Sequence, residues 1–145
     1  MVSVVIPTYN ASRYLDKQLR SLRSQTMKDL DILVIDSSSS DETLDIAKRH
    51  AIQTATIPKN DFDHGGTRTL AGKTRSGGDI LVYLTQDALP CDEKAIETLV
   101  RPLLTEQKCA VAFGRQIPYQ DATPFAQHLR LFNYPPDSYI RTYAD

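Results

Sequence analysis

The chain has 145 residues, 41% hydrophobic and 24% charged, which is the ordinary composition of a soluble globular domain large enough to bury a core without staples. A net charge of -1 excludes a general electrostatic attraction to nucleic acid, and the short apolar run at the amino end, cut by Pro7, is far too short for a signal sequence or a membrane span. Cys91 and Cys109 have no motif spacing, so a reducing, cytoplasmic setting is expected, with any membrane association at the inner face supplied by segments outside this sequence.

Taken in chain order, Val2 to Ile6 is apolar and β-branched and predicts a strand. A loop Pro7-Thr8-Tyr9-Asn10 follows, and Tyr14, Leu15, Leu19 and Leu22 fall at helical spacing. Asp31 to Ile35 predicts a second strand, and Ser39-Ser40-Asp41-Glu42 has the spacing of a capping box before a second helix. Ile52 to Ile57 predicts a weaker third strand, Lys59 to Gly66 a polar loop, and Thr67 to Arg75 a short helix stopped by Gly77-Gly78. Ile80 to Leu84 predicts a fourth strand, Glu93 to Leu104 an amphipathic helix and Cys109 to Phe113 a fifth strand. Such alternation implies an α/β fold with a mostly parallel sheet flanked by helices, here spanning residues 1–117. Residues 118–145, rich in Pro, Tyr and Asp with one short helix around Phe125 to Phe132, read as a chain entering further structure.

Ligands of open parallel sheets bind beyond the carboxyl ends of the strands, and the residues there are unusually polar. After the first strand come Pro7, Thr8, Tyr9 and Asn10; after the second, Asp36, Ser37 and Ser38; after the fourth, Thr85, Gln86 and Asp87. Asp36 can accept hydrogen bonds from a base or ribose, or it and the serines serve only to cap the next helix. Tyr9 can offer a ring for stacking. Asp87 can ligate a hard cation completed by diphosphate oxygens and water, or act as a turn residue before Pro90. In 61–68, paired glycines and a helix beginning near Thr67 would present free N–H groups and Arg68 to an anion, or the glycines form a plain turn. His50 and His128 have no partner pattern and receive no role.

Val4-Val5-Ile6-Pro7-Thr8-Tyr9-Asn10, Leu22 with Gln25-Thr26, and Ile32 to Asp36 followed by Ser39-Ser40-Asp41 and Thr43 resemble the opening of family 2 glycosyltransferases. His64-Gly65-Gly66-Thr67-Arg68, Gly78-Asp79-Ile80 and Leu84 to Pro90 look like the bacterial rhamnosyltransferase-like branch, and the likeness extends through Gly114-Arg115-Gln116 and Phe132-Asn133-Tyr134-Pro135. The resemblance implies a GT-A (Rossmann-like) fold, truncated before its acceptor-binding half, that holds a dTDP- or UDP-sugar and a divalent metal, Mn²⁺ or Mg²⁺. It implies transfer with inversion, rhamnose being the expected sugar, to a glycan or lipid-linked acceptor. Pro7, Thr8, Tyr9, Asn10, Asp36 and Ser38 then belong to the donor site, the first four and Asp36 against the nucleoside. Arg68 lies near the phosphates and Asp87 ligates the metal.

The sequence departs from the family pattern at Thr85, where many relatives carry a first aspartate, and at Ser37 and Thr69. The general base of such enzymes, typically in a Glu-Asp pair, is expected beyond Asp145, so the chain alone should bind donor weakly and transfer sugar poorly. A non-catalytic nucleotide-binding or interaction module on the same scaffold is the alternative, distinguished by whether a longer chain transfers sugar. A nicotinamide-dependent oxidoreductase is disfavoured because the first strand runs into Pro7-Thr8-Tyr9-Asn10 instead of a glycine-rich turn. Apolar surface near Phe132, Tyr134 and Tyr139 makes a homodimer possible.

Overall fold

The computed structural model describes residues 1–74 and 79–141. The elements run β1 (Val2–Thr8), α1 (Ser12–Arg23), β2 (Leu30–Asp36), α2 (Thr43–Arg49), β3 (Gln53–Thr56), a 3₁₀ turn (Lys59–Asp61), α3 (His64–Thr74), β4 (Ile80–Tyr83), α4 (Ala95–Thr105) and α5 (Pro124–Asn133). The chain divides into two compact units, Met1–Cys109 and Ala110–Asp145.

In the first unit the four strands form a parallel sheet of order β3-β2-β1-β4. Each parallel pair needs a crossover, and α1, α2 and α3 supply them. β1 lies between its neighbours in register from Val2 against Leu30 to Thr8 against Asp36, and from Val2 against Ile80 to Val5 against Tyr83. Alternation along β1 sends Val4 and Ile6 to one face, where Leu15, Leu19 and Leu22 of α1, Ile46 and Ala47 of α2 and Ile96 and Val100 of α4 bury them. Val5, Leu33 and Ile35 face the other way and pack with Ala71 of α3. The central strands are therefore apolar on both faces, as parallel strands covered by helices must be. Pro7 sits on the β4 side of β1 just past the last paired residue, Val5, so its missing N–H leaves no gap in that ladder.

Two polar side chains, one on the buried side of α1 and one just past its end, lock the sheet to its loops. Gln18, fully buried where the helical period calls for an apolar residue, donates from Nε2 to the carbonyls of Thr85 and Ala88 at 2.8 and 2.7 Å. Gln25 donates to the carbonyls of Ser21 and Asp92 and accepts from the N–H of Ile96, while the N–H of Thr26 donates to the carbonyl of Glu93. The Gln25-Thr26 pair is thus the latch between the end of α1 and the start of α4.

Four expectations are corrected. No strand forms over Cys109–Phe113: those residues are irregular, and Val111 and Phe113 are 79% and 67% exposed. A short apolar run that lies beside no strand has no ladder to hold it extended. The capping box does not form, because the Ser39 hydroxyl is committed to Asp36 and to the N–H of Asn10, and α2 starts only at Thr43, whose N–H donates to Asp41. α3 starts at His64 instead of near Thr67; the Gly77-Gly78 stop lies outside the described residues. Phe132 and Tyr139 are exposed as expected, but Tyr134 is half-buried. In the second unit α5 is capped by Thr123, whose hydroxyl accepts from the N–H of Ala126, with proline at the tolerated first position.

Candidate functional site

Because all four strands run the same way, the loops after β1, β2 and β4 leave the sheet at one edge. Hydrogen bonds tie them together. The N–H of Tyr9 donates to Oε1 of Gln86 at 2.8 Å, joining the β1 loop to the β4 loop. Asn10 donates to the Ser39 hydroxyl at 2.8 Å, and Ser40 N–H returns a bond to Oδ1 of Asn10 at 2.9 Å, joining the β1 loop to the β2 loop. The β4 loop itself is a tight turn, closed by Ala88 N–H on the carbonyl of Thr85 at 3.0 Å and braced from below by Gln18. Asp87 lies in this turn with its side chain exposed.

The β2 loop also completes α1. The first N–H groups of a helix have no partner inside it, and Ala11 at the N-cap has no side chain to offer. Thr43 accepts from Ala11 N–H at 2.7 Å and Asp41 accepts from Ser12 N–H at 3.0 Å, so one loop caps the helix of another. Burial pulls the Asp41 carboxyl upward, but hydrogen bonds from Thr43 and Ser12 outweigh it and hold the group at about 2. A carboxyl depressed in the folded state stabilises fully above its unfolded value of about 4, and that stabilisation drains away as pH falls. Urea denaturation should therefore show stability declining between about pH 4 and pH 2, with a shallower decline in Asp41→Asn. An unchanged slope in the variant would remove Asp41 from this role.

Asp36 stands at the centre of the frame and is fully buried. Its Oδ1 accepts from the hydroxyls of Thr8 at 2.9 Å and Ser39 at 2.5 Å, and its Oδ2 from the N–H of Ser39 at 2.8 Å. The helix-capping reading of Asp36 is thus replaced by a different structural one, a brace across two loops. Asn10 and Ser38 take the left-handed conformation, at φ 49° and 58°. That conformation costs a non-glycine residue roughly 1 to 2 kcal/mol, and it is held here by the Asn10 side chain accepting from the Ser40 N–H and by the Ser38 hydroxyl donating to the carbonyl of Ile57.

Tyr9 is 39% exposed, and Lys59, from the turn after β3, reaches it twice over: Nζ donates to the phenol oxygen at 2.7 Å and lies 4.5 Å from the ring centroid. Sequence reasoning gave Lys59 no role, and only its place just past the third strand could have suggested one. The glycine segment differs more from expectation. Asp63 caps α3, accepting from the N–H of Gly65 at 3.1 Å and of Gly66 at 2.5 Å, so these donors are taken instead of free. A Cβ on Gly66 would push that carboxylate off its cap. Arg68 is turned back onto its own helix, donating to the carbonyl of His64 at 2.8 Å. His50, passed over in the sequence, is buried and bonded to Asp16.

With this arrangement in view, comparison with known proteins is decisive: residues 3–144 match the family described as Glycosyl transferase family 2. The chain belongs to that family. It is 39% identical over 145 residues to the O-antigen chain rhamnosyltransferase RfbN of Salmonella typhimurium and 35% identical to the O-antigen chain rhamnosyltransferase WbaN of Salmonella anatum, in both cases across 99% of this chain. It spans 46% and 45% of those relatives' own lengths, less than half of each. Among solved structures it is similar to S. aureus TarS 1-349, with TM-score 0.64 and 22% identity over 81% of this chain and 38% of that one. Glucosyl-3-phosphoglycerate synthase from Mycobacterium tuberculosis, in complex with Mn²⁺, UDP and glucosyl-3-phosphoglycerate, gives TM-score 0.61 and 24% identity over 72% of this chain and 40% of that one. Family 2 membership and the parallel sheet with flanking helices make this a GT-A fold. No helix among the described residues is long and apolar enough to cross a membrane.

Proposed function

We propose that this family 2 domain binds a nucleoside-diphosphate sugar at the carboxyl edge of β1, β2 and β4, and that the protein containing it transfers the sugar, with inversion, to an acceptor hydroxyl. The observation that carries this reading is the bonding of the three loops into one edge, Tyr9 to Gln86 and Asn10 to Ser39 and Ser40. The names of the two Salmonella relatives favour rhamnose as the sugar, hence a dTDP-sugar ahead of a UDP-sugar, and a glycan or lipid-linked acceptor. The two free cysteines fit a cytoplasmic setting.

In this reading Tyr9, flanked by Pro7, Thr8 and Asn10, is the platform for the base, and the Lys59 ammonium shifts aside to admit it. Asp36 and Ser38 form the wall toward the ribose, and a direct contact from Asp36 requires Ser39 to give up one of its bonds. Arg68 must turn from the carbonyl of His64 to meet a phosphate. Among the described residues no three His, Cys, Asp or Glu side chains converge to hold a metal ion. Asp87, an exposed carboxylate on a braced turn, nevertheless suits a hard cation, Mn²⁺ or Mg²⁺, whose other ligands are diphosphate oxygens and water. Such a cation, when bound, would offset charge on the departing diphosphate. The GDP-Man and Mn²⁺ complex of the Pyrobaculum calidifontis mannosyltransferase is a structural neighbour that pairs a nucleotide sugar with this kind of ion.

Calorimetric titration of the chain with dTDP, UDP and ADP, with and without Mn²⁺, tests the reading. A pyrimidine diphosphate should bind, and roughly tenfold more tightly with the metal present. Absence of heat with every nucleotide, from a chain that is folded by circular dichroism, would overturn it.

A further inference from the structure

We propose that the concavity between the carboxyl ends of α1 and α2 is a second, phosphate-binding site. It has a volume of about 560 Å³ and is lined by Asp16, Arg20, Arg23, Ser24, Arg49 and His50. The helices return against the direction of the strands, so this site lies at the amino edge of the sheet, opposite the loops after β1, β2 and β4.

Three arginines and one carboxylate are among the residues that line it. Basic residues in a last helical turn commonly answer the carbonyls at the helix end, and Arg23 does so, donating from Nη2 to the carbonyl of His50 just past α2. The other two are differently placed. Arg20 is held through Nε by Oδ2 of Asp16 at 2.8 Å, and its terminal nitrogens make no hydrogen bond among the described residues. Arg49 has no partner among the described residues, yet it lines the same space.

Asp16 is the organiser. It also takes Nε2 of His50 on Oδ1 at 2.8 Å, and these bonds from Arg20 and His50 hold its carboxyl at about 2, so it stays ionised at any working pH. Because Asp16 only accepts, the proton sits on Nε2, and the other ring nitrogen, Nδ1, keeps a lone pair and can only accept. That Nδ1 is buried without a partner, in a residue only 8% exposed. A buried acceptor without a bond is uncommon, and a hydroxyl on a bound phosphate or its headgroup would supply the donor it lacks. A planar guanidinium fork matches the oxygens of a phosphate, bidentately where geometry allows. The partner is therefore a phosphate group, either free or on a lipid headgroup, and its binding weakens with salt because the arginines are solvated.

The test uses the intact chain with metal chelated, so that it is independent of the donor reading. Inorganic phosphate is followed through the ring proton resonances of His50, with His128 as internal reference, and vesicles of phosphatidylcholine with and without phosphatidylglycerol are followed by co-sedimentation. Saturable shifts at His50 with phosphate support a free-phosphate site, and sedimentation only with the anionic vesicles supports a headgroup site. In either case Arg49→Ala, which breaks no bond, and Arg20→Ala should each weaken binding roughly fivefold or more. The proposal is overturned if neither probe binds, or if binding is undiminished in both variants.

Discussion

Asp87→Asn is expected to remove the Mn²⁺-dependent part of nucleotide binding, roughly tenfold or more, while changing the unfolding free energy in urea by less than about 1 kcal/mol. Asparagine keeps the size and shape of the exposed side chain, and Gln18 braces the turn from beneath, so the amide should leave the turn in place. What it removes is a formal negative charge, and hard cations depend on charged oxygen ligands. The turn Thr85-Gln86-Asp87-Ala88 carries no second carboxylate to cover the loss. Under the proposed function, transfer should fall by about 10²-fold or more, since charge on the leaving group goes unanswered. The converse change sharpens the test. Thr85 is exposed and its carbonyl, not its hydroxyl, is what Gln18 holds, so Thr85→Asp should fold normally and tighten Mn²⁺ binding. Unchanged metal dependence in both variants would place the cation elsewhere.

How much of this was legible in the sequence depends on whether a feature is local. The strands Val2–Thr8 and Leu30–Asp36 and the helix Ser12–Arg23 are written in periodicity, and periodicity survives folding because the same apolar stripe is what packs. Clustering of the polar loops followed from parallel topology alone. The partners within that cluster did not. Ser39 and Glu42 have the spacing of a capping box, but Asp36 competes for the Ser39 hydroxyl from three residues away and Asn10 from 29, and a one-dimensional motif cannot register the second competitor. Gln18 is a partial exception. A glutamine at the position between Leu15 and Leu22 that the helix buries must find hydrogen bonds, so the sequence does announce a buried contact, although not that its partners are Thr85 and Ala88. The Cys109–Phe113 run failed for the opposite reason, since its pattern is right for a strand but a strand exists only through its neighbours.

Asp36 should separate frame from contact. Asp36→Ala strands the hydroxyls of Thr8 and Ser39 and the N–H of Ser39 in a buried place, which should cost about 3 kcal/mol or more. Such a loss is large beside the total stability of about 5 to 15 kcal/mol typical of a domain, so this variant should be partly unfolded or aggregate on warming. Asp36→Asn is different. With its amide flipped so that the oxygen accepts from Ser39 N–H, the NH₂ group can donate to the two hydroxyls, each of which can turn to accept. The frame is then satisfied, and stability should fall by only about 1 kcal/mol. The acceptor that a base imino group or ribose hydroxyl would meet is nevertheless gone, replaced in part by a donor. Nucleotide affinity should therefore drop roughly tenfold in a chain whose urea curve is nearly unaltered. If Asp36→Asn binds dTDP and UDP as tightly as the parent, the carboxylate serves the loops alone and the recognition of the nucleoside moves to Tyr9, Ser38 and Lys59.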